Sequence, residues 1–269
     1  MVLSQISELF FLQMAAGVSF SLLLIRSDAL GKGFFILNTI LAIISLALAL
    51  LFQYSQPTPG ASAIRAGGGI GLVFLLIAAI LQARQIRSWT FPLFAGFLLS
   101  AFALCTEVRN LTPHVLTYTL LEDFLRVSVS LIGGFLLGSS VVNMKLGHWY
   151  LISKGFTFDV LENVTRSFLL LVSARIVLLV VAVGGFYYLP GSGRSALEML
   201  WAPDGYLIFF LMRILWGLVG PFVLGTLVFR CVEIHSNTSA TGLMYVVVVS
   251  LLIGELLANY VTVLSAVPV

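Results

Sequence analysis

Between Gly33 and Tyr54 the chain reads "GFFILNTILAIISLALALLFQY", 22 residues without one charged side chain. A helix on the surface of a soluble domain needs a polar stripe, and this one has none. About 20 consecutive apolar residues are what a helix needs to cross the hydrocarbon of a bilayer. Runs of this kind recur along the whole chain, at Leu9–Ile25, Gly33–Tyr54, Gly67–Ala83, Trp89–Cys105, Val127–Leu151, Ser167–Leu189, Tyr206–Arg230 and Gly242–Val267. With 60% hydrophobic and 9% charged residues in 269, a water-soluble fold has too little interior to hide the apolar side chains. The pattern predicts an all-α integral membrane protein, a single bundle of about eight transmembrane helices. Residues 1–111 carry spans one to four and residues 112–269 carry spans five to eight.

The basic residues of the short loops predict an orientation. Arg26, Lys32, Arg84, Arg87, Lys145, Lys154, Arg166 and Arg230 fall on one face, and Arg65, Arg109, Arg126 and Arg194 on the other. Eight against four places both termini on the non-cytoplasmic side. The first run has its bases after it and none before it, so it reads as a retained span and not a cleaved leader. Span five is expected to start early, at Thr112 and Pro113, and to project beyond the membrane, with Glu122 and Asp123 spaced to pair with Arg126.

Several chemistries find no signature. The two cysteines, Cys105 and Cys231, form no C-x-x-C and are expected on opposite faces, which leaves out covalent haem attachment and thiolate zinc. No H-E-x-x-H, P-loop or dinucleotide fingerprint occurs, and the loops are too short for a soluble catalytic domain. Scattered bases give no nucleic-acid surface; the expected surroundings are membrane lipid.

Two polar features remain. Arg175, Arg213 and Glu255 lie inside spans six, seven and eight, with Asn259 one turn beyond Glu255. Ionisable groups in a bilayer turn inward and find partners. The rise per residue sets Glu255 roughly 6–8 Å in depth from each arginine. The series reads either as a proton or charge relay or as an ion pair that fixes helix register. Pro221, among Gly217, Gly220 and Gly225, is expected to break span seven. Such glycines, like the pairs Gly67/Gly71 and Gly134/Gly138, serve chiefly close packing.

The second feature is a pair of motifs predicted on one face. "GHWYL" ends span five, and "HSNTSATGLMY" turns between spans seven and eight. Trp149 and Tyr150 suit an aromatic belt. His148 suits a quinone carbonyl, and with His235, Asn237, Thr241 and Tyr245 it makes a candidate ligand site. Haem b is the weaker alternative, because His235 reads as a loop residue and His114 falls on the other face.

"LGHWYL" (Leu146–Leu151), "NTSATGLMYV" (Asn237–Val246) and "GE" (Gly254–Glu255) together resemble a family of poorly characterised bacterial multi-pass membrane proteins with GHWYL-type and N-T-x-S-A-T-G-type motifs. The likeness covers spans five to eight, and the turn here is one residue shorter. The resemblance implies a bacterial inner-membrane protein. The expected function is a membrane-anchor subunit of a respiratory or electron-transfer complex. It would contribute to a quinone site near the cytoplasmic face beside soluble redox subunits, and would not be catalytic alone. The alternatives are a small-solute or proton transporter using Arg175, Glu255 and Arg213, and a structural assembly subunit.

Overall fold

A computed structural model describes residues 2–25, 30–54, 60–111, 119–152, 159–188, 193–201, 206–265 and 267–269. All regular structure among them is helical. The elements are α1 (Val2–Leu24), α2 (Lys32–Tyr54), α3 (Ala61–Ala83), α4 (Thr90–Asn110), α5 (Leu120–Ile152), α6 (Asp159–Tyr188), α7 (Gly193–Trp201), α8 (Leu207–Ile214), α9 (Gly220–Glu233) and α10 (Asn237–Ser265). Eight segments of the described residues are long and apolar enough to cross a membrane, with α8 and α9 together forming the seventh.

The spans close into two rings. α1 packs on α2, α2 on α3, α3 on α4, and α4 back on α1. In the second ring α5 packs on α6, α6 on α9, α9 on α10, and α10 back on α5. The rings share a seam where α1 lies along α5, and the seam is crossed reciprocally by α4 on α5 and α10 on α1. As a result α1 is enclosed on all sides: every residue from Leu12 to Ser19 is buried.

Glycine makes that seam possible. A Cβ on Gly17 would strike the carbonyl group of Gly134, and one on Gly138 would strike the backbone of Gly17 and Val18. Without a hydrophobic force between helices in lipid, such close backbone approach is a main source of association. Gly67 and Gly71 do the same work between α3 and α4, against Phe102 and Leu99.

Span seven is broken as the proline predicts, but the break has a specific form. Residues Leu215–Val219 make one wide π turn directly before Gly220 and Pro221. Proline has no N–H to donate, and a wide turn on its N-terminal side absorbs the missing bond. The space so created is filled. Gly217 backs onto Gly254 and the Arg213 side chain, Gly220 faces Ser250 Oγ, and Gly225 faces Phe168.

The start of α5 has a specific form. Glu122 caps its own helix. Its Oε2 accepts from the Thr119 N–H at 2.7 Å and hydroxyl at 2.9 Å, while the Glu122 N–H donates to Thr119 Oγ1 at 3.3 Å. This reciprocal cap starts α5 at Leu120. Asp123 does meet Arg126, at 3.5 Å. The proposed start at Thr112–Pro113 lies outside the described residues, as do Arg26, His114 and Lys154. Between spans six and seven, α7 adds a short helix that buries Ala196, Leu197 and Leu200 and exposes Arg194 and Glu198. Both cysteines are free, Cys105 near the end of α4 and Cys231 near the end of α9, at opposite faces.

Candidate functional site

The three charged residues inside the spans do converge. Arg213 Nη2 donates to Glu255 Oε1 at 2.8 Å, and Arg175 Nη2 lies 3.5 Å from Glu255 Oε2. Arg175 also donates to the backbone oxygens of Val129 and, at 2.9 Å, of Val269. All three are sealed from the surroundings, with Glu255 and Arg213 at 0% and Arg175 at 2% exposure. One carboxylate therefore serves two guanidinium groups. Nε and Nη1 of Arg213 find no acceptor among the described residues. Gly133 is required beside the cluster, since a Cβ there would sit 2.7 Å from Glu255 Oε2.

Asn259 extends this layer across the seam. Its amide donates to Gln13 Oε1 at 2.8 Å, and Gln13 Nε2 donates to the Ser130 carbonyl at 3.3 Å. Gln13 is the middle residue of α1, so the layer sits near the centre of that span. A buried polar group without a partner costs about 1–3 kcal/mol. The first bond ties α10 to α1 and the second ties α1 to α5.

The two sequence motifs also meet, through different atoms from those expected. Gly147 is the contact point: a Cβ there would lie 2.7 Å from Thr241 Oγ1, and Asn237 Nδ2 donates to the Gly147 carbonyl at 3.4 Å. Thr241 Oγ1 donates to Asn237 Oδ1 at 3.4 Å, and Ser236 Oγ to Ser239 Oγ at 3.0 Å. Asn237 and Thr241 thus clasp the end of α5. His148, expected to face inward, is exposed, as is Tyr245. His235 is exposed too and holds a left-handed backbone, φ 59°, at the turn after α9. Its Nδ1 lies 3.0 Å from the Glu233 carbonyl oxygen. Trp149 is half-buried against Phe34 and the Gly31–Gly33 stretch that opens α2, and Tyr150 is half-buried beside it.

A concave site lies deeper on the same side of the bundle. Ser21 and Leu24 of α1, Ser139 of α5, and Asn163, Val164 and Ser167 of α6 line a small crevice of about 40 Å³. It sits at the end of the seam where α1 and α6 fail to close on each other, with Leu24 and Asn163 exposed at its mouth. Its polarity has a direction. Ser21 Oγ donates to the Gly17 carbonyl at 2.8 Å, Ser139 to Leu136 at 2.9 Å and Ser167 to Asn163 at 2.9 Å. A hydroxyl has one proton to give. With that proton committed to the helix backbone, each of these three oxygens presents lone pairs to a guest. The Asn163 amide adds both a donor and an acceptor.

Sequence reasoning missed this crevice because isolated serines in apolar spans carry no pattern until the helices are placed. It also missed Glu8 and Glu107. Both lie just outside the apolar runs, yet the helices extend past those runs and bury the two carboxylates at 1% and 0% exposure. Their position next to an apolar run was the available signal. Comparison with protein-family models, with curated proteins and with solved structures finds no match to this chain.

Proposed function

We propose that this chain is the membrane subunit of an electron-transfer complex and that it holds a quinone-class carrier in the crevice between α1, α5 and α6. The supporting observation is the lining itself: four polar side chains in an apolar bundle, at a gap between two spans. Only the polar edge of a ring enters so small a space, while the rest of the ring and an isoprenoid tail stay in lipid. The three acceptor hydroxyls favour the reduced carrier, because a quinol has O–H groups to donate and a quinone has none. Soluble redox subunits dock on the face where α1 ends, which the distribution of bases makes cytoplasmic in a bacterial inner membrane. His148, exposed on that face, belongs on this reading to the docking surface and not to the ring site.

The test is equilibrium binding of a short-tailed quinol to the protein in lipid nanodiscs. Ser139→Val and Asn163→Leu should each weaken binding about tenfold, the equivalent of one lost hydrogen bond at about 1.4 kcal/mol. His148→Ala should leave it unchanged. Loss confined to the His148 variant would move the site to the helix end, and no binding by the unaltered protein would overturn the reading.

One observation favours transport as a second reading. Two four-span rings with reciprocal contacts across a shared seam resemble the parallel repeats of some transporters, whose sites lie at the repeat interface. The Arg175–Glu255–Arg213 cluster and the Gln13–Asn259 pair occupy that interface region. On this reading Glu255 carries the coupling charge.

A further inference from the structure

We propose that Glu8 of α1 and Glu107 of α4 form a proton-loading site, two carboxyl groups that share one proton, reached from the face on which α1 begins. α1 and α4 pack together, and Glu8 near the start of α1 and Glu107 near the end of α4 lie toward the same face of the bundle. Among the described residues, Glu8 Oε1 and both oxygens of Glu107 are buried with no hydrogen-bond partner. A lone buried carboxylate is among the costliest groups a protein can hold, and two facing each other cannot both stay ionised. One proton between them removes one charge and supplies the missing hydrogen bond.

Several charges of the neighbouring helices have partners of their own. On α5, Arg126 is committed to the Val108 carbonyl at 3.0 Å and to Asp123, and Glu122 caps its own helix. On α3, Arg65 bonds the Ala61 carbonyl and stacks on Tyr54 of α2. Arg109 of α4 is exposed, and Glu255 of α10 is held by its two arginines. Two carboxylates offer at most four oxygens, fewer than a hard cation needs, so the proton is the better occupant.

Access is short. Glu107 lies three residues, about 4.5 Å, from the last residue of α4, and Glu8 lies about 9 Å from the first residue of α1. Inward, Glu8 is about 7.5 Å along α1 from Gln13 of the central layer. The pair therefore stands between the aqueous face and the polar centre of the bundle.

Dicyclohexylcarbodiimide, an apolar reagent, tests this in membranes. The acid proton passes to a carbodiimide nitrogen while the carboxylate oxygen bonds the central carbon, and the adduct rearranges to a stable N-acylurea that mass spectrometry locates. One label per chain is expected, on Glu8 or Glu107, with a coupled titration: Glu8→Gln shifts the pH at which Glu107 labels, Glu107→Gln shifts that of Glu8, and the double variant is unlabelled. Infrared spectra of the unaltered protein should show a deuterium-sensitive protonated carboxyl band, a readout that needs no variant to fold. Independent labelling of the two residues, no labelling at any pH, or protection by sodium at fixed pH would each overturn the shared proton. Ser139→Val should leave the labelling unchanged, which separates this site from the crevice.

Discussion

Glu255 is the residue on which the centre of the bundle depends most. Glu255→Gln leaves two buried guanidinium groups with no counter-charge, and breaking such a pair costs about 3–5 kcal/mol. The loss should appear as a marked fall in thermal aggregation temperature in detergent. Replacing Arg175, Arg213 and Glu255 together with Met, Met and Leu should cost much less, because no charge is then stranded. Comparable damage from both variants would contradict the view that the carboxylate neutralises the layer. This cluster was legible in the sequence, since three ionisable residues within apolar runs have few places to go but toward each other. His148 was not legible in the same way. A residue at the end of a span turns inward or outward according to its neighbours. Here Gly147, not His148, takes the position against Thr241.

Glycine contacts and caps decide how the elements assemble. Gly17→Val or Gly138→Leu should separate α1 from α5 and abolish monodisperse protein in size-exclusion chromatography, because the added atoms would meet backbone that cannot yield. Gly69→Ala and Gly184→Ala face open space and should be tolerated, with a helix-propensity gain of up to about 1 kcal/mol. Glu122 links two elements: besides capping α5, its Oε1 accepts from the Gly193 N–H at 3.1 Å at the start of α7. Glu122→Ala should speed hydrogen exchange at Gly193 while leaving the amides at the middle of α5 protected. Apolar runs located all eight spans, because length and lack of charge are properties of one helix. Helix α7 escaped notice because its nine residues make only about two and a half turns, despite a clear apolar face. The π turn before Pro221 escaped because a proline predicts a break but not its geometry.

At the scale of the molecule, the two-ring arrangement sets the candidate sites at three levels of the bundle. The crevice lies toward one face, the Arg–Glu–Arg and Gln13–Asn259 layer at the centre, and the Glu8–Glu107 pair toward the other. Such a series suits a protein that takes a reduced carrier from the bilayer and passes its protons across. The seam itself was not readable beforehand, since it depends on which helices become neighbours, a matter of long-range packing. If the chain is instead a transporter of the second kind, proteoliposomes holding it alone should show solute-dependent proton flux that Glu255→Gln abolishes. The electron-transfer reading predicts no such flux without redox partners.

The most direct measurement is photolabelling with a light-activated quinol analogue of the protein in native lipid, followed by peptide mapping. Occupation of the crevice predicts adducts confined to residues 21–24, 139–142 and 163–167, displaced by excess unlabelled quinol and lost in Asn163→Leu. Adducts scattered over the lipid-facing surfaces of α2, α3 and α6, or adducts that competitor does not displace, would contradict the account.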